Sequence, residues 1–590
     1  MGRRVEIPTG ARVAWLVEVY FGGVAVRMST EDVIVETAAG EELHFAGVLP
    51  ELDVVVALSE IGGVQSAPSL SFEAVWPVAV AELVEDGWPL AYSRARVSRW
   101  VEGTTYESRR VVVDGYVHNP TYGEEDEPTA VTIEAPPWEA TASLPPPGAE
   151  VNGYTFASAV TSLAPEQLGR VYPVVFGSPG QVAARVDATE RQAATKARWI
   201  DQRYVAMPSP SSDYSNVRVL VAGHHVSAER CYLYNADGMV SRVFLRNGFD
   251  DLGQPIAFVP WFYDADVDGA PDDDFDAAYM DYYCAVTDFD GATTSAMGDA
   301  SLTVNEVVSG DNTPELFVAW ADDEDLSRGG LDGDAGSVIE YLVRRMGLPV
   351  DAGMFAAAKQ LLSVYRLDFA IDETCNVWDF VRAQLLPILP VSLVTGPLGV
   401  YPVVWRFDAT AADAVEHFNL DLQTDVDRLG GIETETSQMC NEVTIKYARS
   451  ARSGSSSATL TFGGDRYDAD RADRIPEPAF RRSQQRLRDL SGQPLVLHKD
   501  LDLPVVGRDA TVTAIAGWYA AAYGLPLRYL RLVADEARCQ HISEGAIVTV
   551  TDARVHLDQA VCMVTEIAYG TDAPLELRLV MLGAKERSRG

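Results

Sequence analysis

The sequence predicts a multidomain protein that is mainly β, with a smaller α/β part. Three observations carry that expectation. At 590 residues the chain is too long to bury a single core. Short runs of alternating apolar residues, separated by glycine-bearing turns, dominate both ends. A helical period emerges only in a few stretches beyond residue 334. The layout is two antiparallel β-barrel or sandwich domains, 1–135 and 426–590, plus two accessory domains. The latter are a β-rich unit with acidic loops at 136–333 and a small helix–hairpin α/β unit at 334–425.

In the first β region, Val33, Val35 and Thr37 alternate with Ile34 and Glu36, and the "AAG" turn leads into Leu43 and Phe45. "AYSRARVSRWVEG" and "TYESRRVVVDGYVH" read as a hairpin about a short glycine-containing connection. The proline-rich stretch from Pro136 to Val151 favours extended backbone and marks a boundary. Beyond it, "GRVYPVVFGSPG", "NVRVLVAGHHV" and "ERCYLYNADGMVSRVFLRNG" read as strands, followed by an acidic run up to about Gly333.

The period then changes. Val338, Ile339, Leu342, Val343 and Met346 share one face of a helix, with Gly347 placed to end it and Pro349 behind. A second helix spans "ETCNVWDFVRAQLLP", with Thr374 as its expected N-cap and Val377, Val381 and Leu385 on one face. "PVSLVTGPLGVYPVVWRF" reads as a hairpin. "NEVTIKYA" returns to strand, "RSARSGSSSATL" reads as flexible, and "DATVTAIAGWYAAAYGLP" reads as a helix burying Ile515, Trp518, Tyr519 and Ala522. Four closing strands suit a second barrel or sandwich.

Composition bounds the function. Hydrophobic residues at 47% and charged residues at 23% are ordinary for a globular chain. A net charge of −39 argues against gripping nucleic acid or an anionic membrane, since phosphate binding needs clustered Lys and Arg. The N-terminal stretch has no apolar core suited to a secretory signal, and no run is long enough to predict a membrane-spanning segment. Cys231, Cys284, Cys375, Cys440, Cys539 and Cys562 form no CxxC pair and read as scattered free thiols of a reducing compartment.

Several clusters could hold chemistry. "HISEGAIVTVTD" places His541, Glu544 and Asp552 within twelve residues, but without a nucleophile or metal motif it reads as a polar turn entering a strand. His224 and His225 fall between two strands, where neighbours point to opposite faces and share a metal poorly. Asp264, Asp266 and Asp268, followed by Gly269, reproduce the opening of a calcium loop; Phe275 stands where the closing acid belongs. They are the Ca²⁺ candidates, against a bland reading as a solvated acidic loop, and no other cofactor is expected. No Walker A, GxSxG or dinucleotide fingerprint occurs, and no catalytic residue is assigned. Arg474, Arg481, Arg482, Arg486 and Arg488 stand out in so acidic a chain: a solvated amphipathic helix by default, a contact to an acidic partner as the sharper reading.

The order of pieces resembles the hub proteins at the distal end of bacteriophage tails (baseplate or tail-tip hubs), including those of gene-transfer particles. The segments that carry the resemblance are "GRVYPVVFG", "AGSVIEYLVRRMGLPVD" with the following stretch to "PVSLV", "FRRSQQRLRDLSG", and "TAIAGWYAAAYGLPLRYLRLVADEARCQHISEGAIVTVTD". The resemblance implies that the two β domains are tail-tube-like. A homotrimer would then form a pseudo-sixfold ring joining the hexameric tail tube to the tip. It further implies a structural virion protein, assembled in the host cytoplasm, that lines the channel for DNA ejection without binding DNA specifically. The implied partners are the tail tube, distal tail and tape-measure proteins, and tip, spike or fibre proteins. The acidic balance would let phosphates slide past the inner wall. The alternative is a β-rich carbohydrate-binding or glycan-hydrolysing tail or surface protein, which the many aromatic residues also suit.

Overall fold

The structure is a computed structural model. It describes most of residues 12–144 and 331–582 and, between them, mainly the backbone of short strands. The described chain is mainly β with a smaller helical part.

The N-terminal sheet is built from β1 (Val13–Phe21), β2 (Val24–Ser29), β3 (Val33–Glu36), β4 (Glu42–Gly47), β6 (Ser69–Ala74), β7 (Arg94–Val101), β8 (Arg110–Thr121) and β9 (Thr129–Glu134), while β5 (Val54–Ala57) lies elsewhere. The order across the sheet is β3-β4-β2-β1-β7-β8-β9-β6. Alternation works as expected in β3, where Val35 is buried and Ile34 faces out. The β7–β8 hairpin forms with Val97 opposite Val113. One departure from antiparallel order is the parallel pairing of β2 with β4.

The C-terminal sheet runs Glu416–Asn419, Ile547–Asp552, Leu557–Tyr569, Leu575–Met581, Leu527–Ala534, Val426–Glu435. Its first pair is parallel. β5 completes it, leaving its own sheet to pair antiparallel with the far half of Leu557–Tyr569, Val56 opposite Ile567. The two sheets share one apolar cluster, in which Trp15, Val17 and Val97 meet Leu532, Val564 and Leu577. The first and last stretches of the chain are thus two walls of one core.

A second cluster holds the helices. α1 (Ala335–Arg345) buries Val338, Ile339, Leu342 and Val343, as its spacing predicts; Asp334 caps it and Gly347 follows at positive φ. α2 (Ala352–Leu362) is not foreseen: its alanine-rich sequence has only Phe355, Ala358 and Leu362 buried, and so shows little periodicity. The next helix, α3 (Val377–Phe380), is shorter than expected and continues as a π-turn over Val381–Leu385. Its cap is Asn376, whose side chain accepts from the Asp379 amide, rather than Thr374. Cys375 and Asn376 are extended instead, because they pair with Ser143–Leu144. The predicted hairpin pairs Val391–Gly396 with Gly399–Val404.

The same cluster continues into a four-stranded sheet, Arg474–Pro476, Ser456–Gly463, Glu442–Arg449, His498–Asp502. Covering it are α4 (Pro478–Ser491) and α5 (Asp509–Tyr523). Ser456–Gly463 falls in the serine-rich stretch expected to be flexible. Its alternating Ala458, Leu460 and Phe462 are buried and outweigh the serines. One apolar cluster therefore spans both sides of residue 425, with Leu342 and Leu393 sharing it with Ile445 and Trp518. Between Thr195 and Trp320 the backbone forms a five-stranded and a three-stranded sheet. Val174–Phe176 pairs with Phe369–Ile371, with Phe176 stacked on Phe369 at 4.8 Å.

Candidate functional site

The joint between the two sheets contains charge where apolar packing alone would be expected. Trp15 on β1 lies directly opposite Arg99 on β7, and the guanidinium sits 4.5 Å above the indole ring. From there Arg99 reaches the short helix α6 (Glu536–Cys539) and clamps Glu536 with both arms of its fork, Nε to Oε1 at 2.8 Å. Both partners are buried. Trp15 also meets Tyr569 edge-to-face, with ring centroids 6.1 Å apart.

A second arginine repeats the reach. Arg110, at the start of β8, donates to the Ile542 carbonyl, lies over the Tyr569 ring and stands 3.9 Å from Glu544. Glu544 is buried, and desolvation pushes its carboxyl above the ordinary range despite Arg110. The turn reading of this stretch holds at Gly545, which has φ +82° and faces Val403 so closely that a Cβ would lie 2.3 Å from Cγ1. Glu544 itself is withdrawn from water, with Arg110 of β8 reaching over the turn.

His541, Glu544 and Asp552 are not brought together. His541 Nε2 sits 3.3 Å from Glu416, a carboxylate also held by Arg538 at 2.8 Å. Asp552 is fully buried and held by Arg428 and Arg554, each at 2.9 Å. Burial opposes its ionisation, but the hydrogen bonds from Arg554 and Arg428 outweigh that and hold its carboxyl below the usual value. Glu416 and Asp552 are thus each satisfied by arginine in a structural pairing.

The arginine-rich segment does form the expected helix. Glu477 caps α4, Pro478 opens it and left-handed Gly492 closes it. Phe480, Ser483 and Gln484 are buried, and Gln484 donates to the Asn441 carbonyl at 2.9 Å. Arg481, Arg482, Arg486 and Arg488 are exposed together along the helix, whereas Arg474 lies apart, half-buried on a strand. Asp264, Asp266, Asp268, His224 and His225 lie outside the described residues. Among the described residues Cys375, Cys440, Cys539 and Cys562 are free. Burial raises the Cys440 thiol to about 11 and those of Cys539 and Cys562 to about 12, leaving them unreactive at neutral pH.

The Arg99–Glu536 clamp is the feature that sequence reasoning missed. Its partners are 437 residues apart. The available signal was an arginine inside "RVSRWV", where alternation puts position 99 on the same face as Val97.

No family model matches the chain, and no curated protein matches it. Among solved structures it is similar to a tail protein from Neisseria meningitidis MC58, at 11% identity and TM-score 0.34, covering 96% of each chain. It is similar to a 43 kDa tail protein of prophage MuSo2 from Shewanella oneidensis, at 9% identity and TM-score 0.31, covering 96% of this chain and 98% of that one. It is also similar to a chain of the virion of a native gene transfer agent particle, at 14% identity and TM-score 0.31, covering 72% and 87%.

Proposed function

We propose that this chain is a structural hub at the distal end of a bacteriophage-type tail. Three copies close a ring in which N- and C-terminal β units alternate. Six units then face a hexameric tail tube, and the bore passes DNA without holding it. The other partners are the distal tail, tape-measure and tip, spike or fibre proteins of the resemblance. What carries the reading is the joint: two β sheets from opposite ends of one chain share a core, exchange the strand β5, and are clamped by Arg99–Glu536. A ring of alternating units needs two kinds of contact, one within a chain and one between chains, and this joint supplies the first. The excess of carboxylates, at net charge −39, suits a wall that repels phosphate.

The test is the mass of the full chain in solution by light scattering, followed by imaging of the particles. A mass three times that of the chain, in rings with six lobes around an open centre, is the expected result. A monomer at every concentration, or a closed twofold dimer, overturns the reading.

A further inference from the structure

We propose that the outer face of the N-terminal sheet carries a binding site for a neutral glycan, built from a tyrosine platform that opens into a cleft. The site lies within one copy of the chain, so it goes beyond the hub reading and does not depend on it.

The platform follows from the register. Tyr20 on β1 stands opposite Arg94 on β7, and Arg94 stands opposite Tyr116 on β8. Their strand neighbours Val19, Ala95 and Val117 are buried, so alternation turns the two tyrosines and Arg94 outward. Tyr92 joins them just before β7. Its ring is 77% exposed and meets His118 edge-to-face, with centroids 6.5 Å apart, two residues along β8 from Tyr116. Tyr92 is also held at φ +66°, a conformation that bulky residues seldom adopt. Its amide donates to the Val117 carbonyl at 2.8 Å, and the Val117 amide donates to the Ser93 carbonyl at 2.9 Å, which pins it there. Strain of this kind collects where a fold presents a side chain to a ligand.

The platform ends in a cleft of about 350 Å³, within the range of ligand pockets. Arg94, Asp114 and Tyr116 line one side, and Leu348, Pro349 and Leu398 the other. Both walls are fixed. Arg94 donates to both oxygens of Asp114, at 3.2 and 3.0 Å, and Arg96 donates to the same carboxylate at 3.0 Å. Opposite, the Val400 amide donates to the Pro349 carbonyl at 2.8 Å, and a Cβ on Gly399 would lie 2.4 Å from that oxygen. The tip of the Val391–Val404 hairpin is thus packed directly on Pro349.

Three features select the ligand. Charge is balanced, since Arg94 and Arg96 are countered by Asp114 and by Glu134, which lies exposed opposite Tyr116 on β9. The platform offers no surplus cation to a nucleic-acid backbone, which exposed aromatics would otherwise suit. Among the described residues the phenol hydroxyls of Tyr20, Tyr92 and Tyr116 take no hydrogen-bond partner. An apolar protein surface would bury them unpaired, at a cost. A sugar ring instead lays C–H groups on a tyrosine face and brings hydroxyls to the phenols and to Arg94. Finally, Tyr20 and Tyr116 lie two strand spacings apart, about 9.5 Å, which suits linked sugars better than a single ring.

The experiment is calorimetric titration of the full chain with neutral hexasaccharides of glucose, mannose and N-acetylglucosamine, with a thymidine oligonucleotide as control. At least one hexasaccharide should bind at millimolar concentration or below, and the oligonucleotide should not. Tyr116→Ala and Tyr92→Gly should each weaken that binding about tenfold, and Tyr116→Phe, which keeps the ring, should weaken it less. Tyr92→Gly separates binding from folding. Glycine accepts the positive φ, so thermal melting should hold while the sugar is lost.

Failure of every hexasaccharide to bind at millimolar concentration overturns the proposal. Binding that survives both Tyr116→Ala and Tyr92→Gly places the sugar elsewhere and overturns it too. Oligonucleotide binding that is lost in Tyr116→Ala assigns the platform to nucleic acid. A light-scattering mass that falls in the same variants, with no sugar bound, assigns it to a contact between copies. Either result overturns the glycan site, whereas the hub reading is judged separately, by the mass of the wild-type chain.

Discussion

The sheet joint and the α4 surface handle arginine in opposite ways. At the joint, Arg99 is withdrawn from water and matched by one carboxylate in a bidentate clamp, with an indole ring beneath it. On α4, Arg481, Arg482, Arg486 and Arg488 are exposed at the surface. A buried charge is costly to leave unpaired, so removing one member of the clamp should destabilise the fold. An exposed charge contributes little to folding. The fold thus depends on Arg99 far more than on the four arginines of α4.

Breaking that division at the joint should produce the largest effect. Glu536→Ala strands Arg99 in the core and should cost about 3–5 kcal/mol in denaturant unfolding. The same experiment on R481A or R482A should shift stability by less than about 0.5 kcal/mol. A comparable cost for the two sites would erase the contrast.

Next in size is Gly545→Ala. Its positive φ and the 2.3 Å approach to Val403 should together cost about 1–3 kcal/mol, read as a lowered denaturation midpoint. Recovery on adding Val403→Ala would assign the steric part to that contact.

Asn376→Ala should remove a helix cap at about 1 kcal/mol, whereas Thr374→Ala should be nearly silent in thermal melts. Equal effects would return the cap to the position that the sequence suggests.

The smallest expected effect is distinguished by its sign. Desolvation raises the folded carboxyl of Glu544 above its unfolded value of 4.5. The folded state then binds the proton more tightly, so the penalty is absent below the unfolded value, builds as pH rises through the folded one, and is complete above it. Glu544→Gln should therefore stabilise the chain at neutral pH and give no gain in acid. Urea midpoints at both pH values would show it. Destabilisation at neutral pH would make Glu544 a true partner of Arg110, equivalent to Glu536.

Local patterns were legible where one face is buried or where turn residues mark the ends. α1 has the period that its one-sided burial requires. α5 and the Val391–Val404 hairpin are buried on both sides and were legible from their bounding glycines and prolines instead. Where neither signal is present, or where the partner is distant, the sequence is silent. In Ile547–Asp552, Ile547 enters one cluster and Val548 the other, so no alternation shows which side is inside. α2 hides behind alanines, and Ser456–Gly463 behind serines. Of the site residues, the arginine helix was visible as a charge run, but Arg474 belongs to a separate strand, which only the fold shows. The trio in "HISEGAIVTVTD" was close in sequence and is separated in space, since consecutive residues about a turn and along a strand diverge.

The crossing of β5 also has a cost in time. Val54–Ala57 must wait for Glu566–Tyr569, roughly five hundred residues later in the chain. At about 5–20 residues per second, that is on the order of half a minute to two minutes of synthesis with a valine-rich segment unclaimed. A cell making this polypeptide must shelter its beginning until its end emerges, and chaperone demand should fall on nascent chains rather than on finished ones.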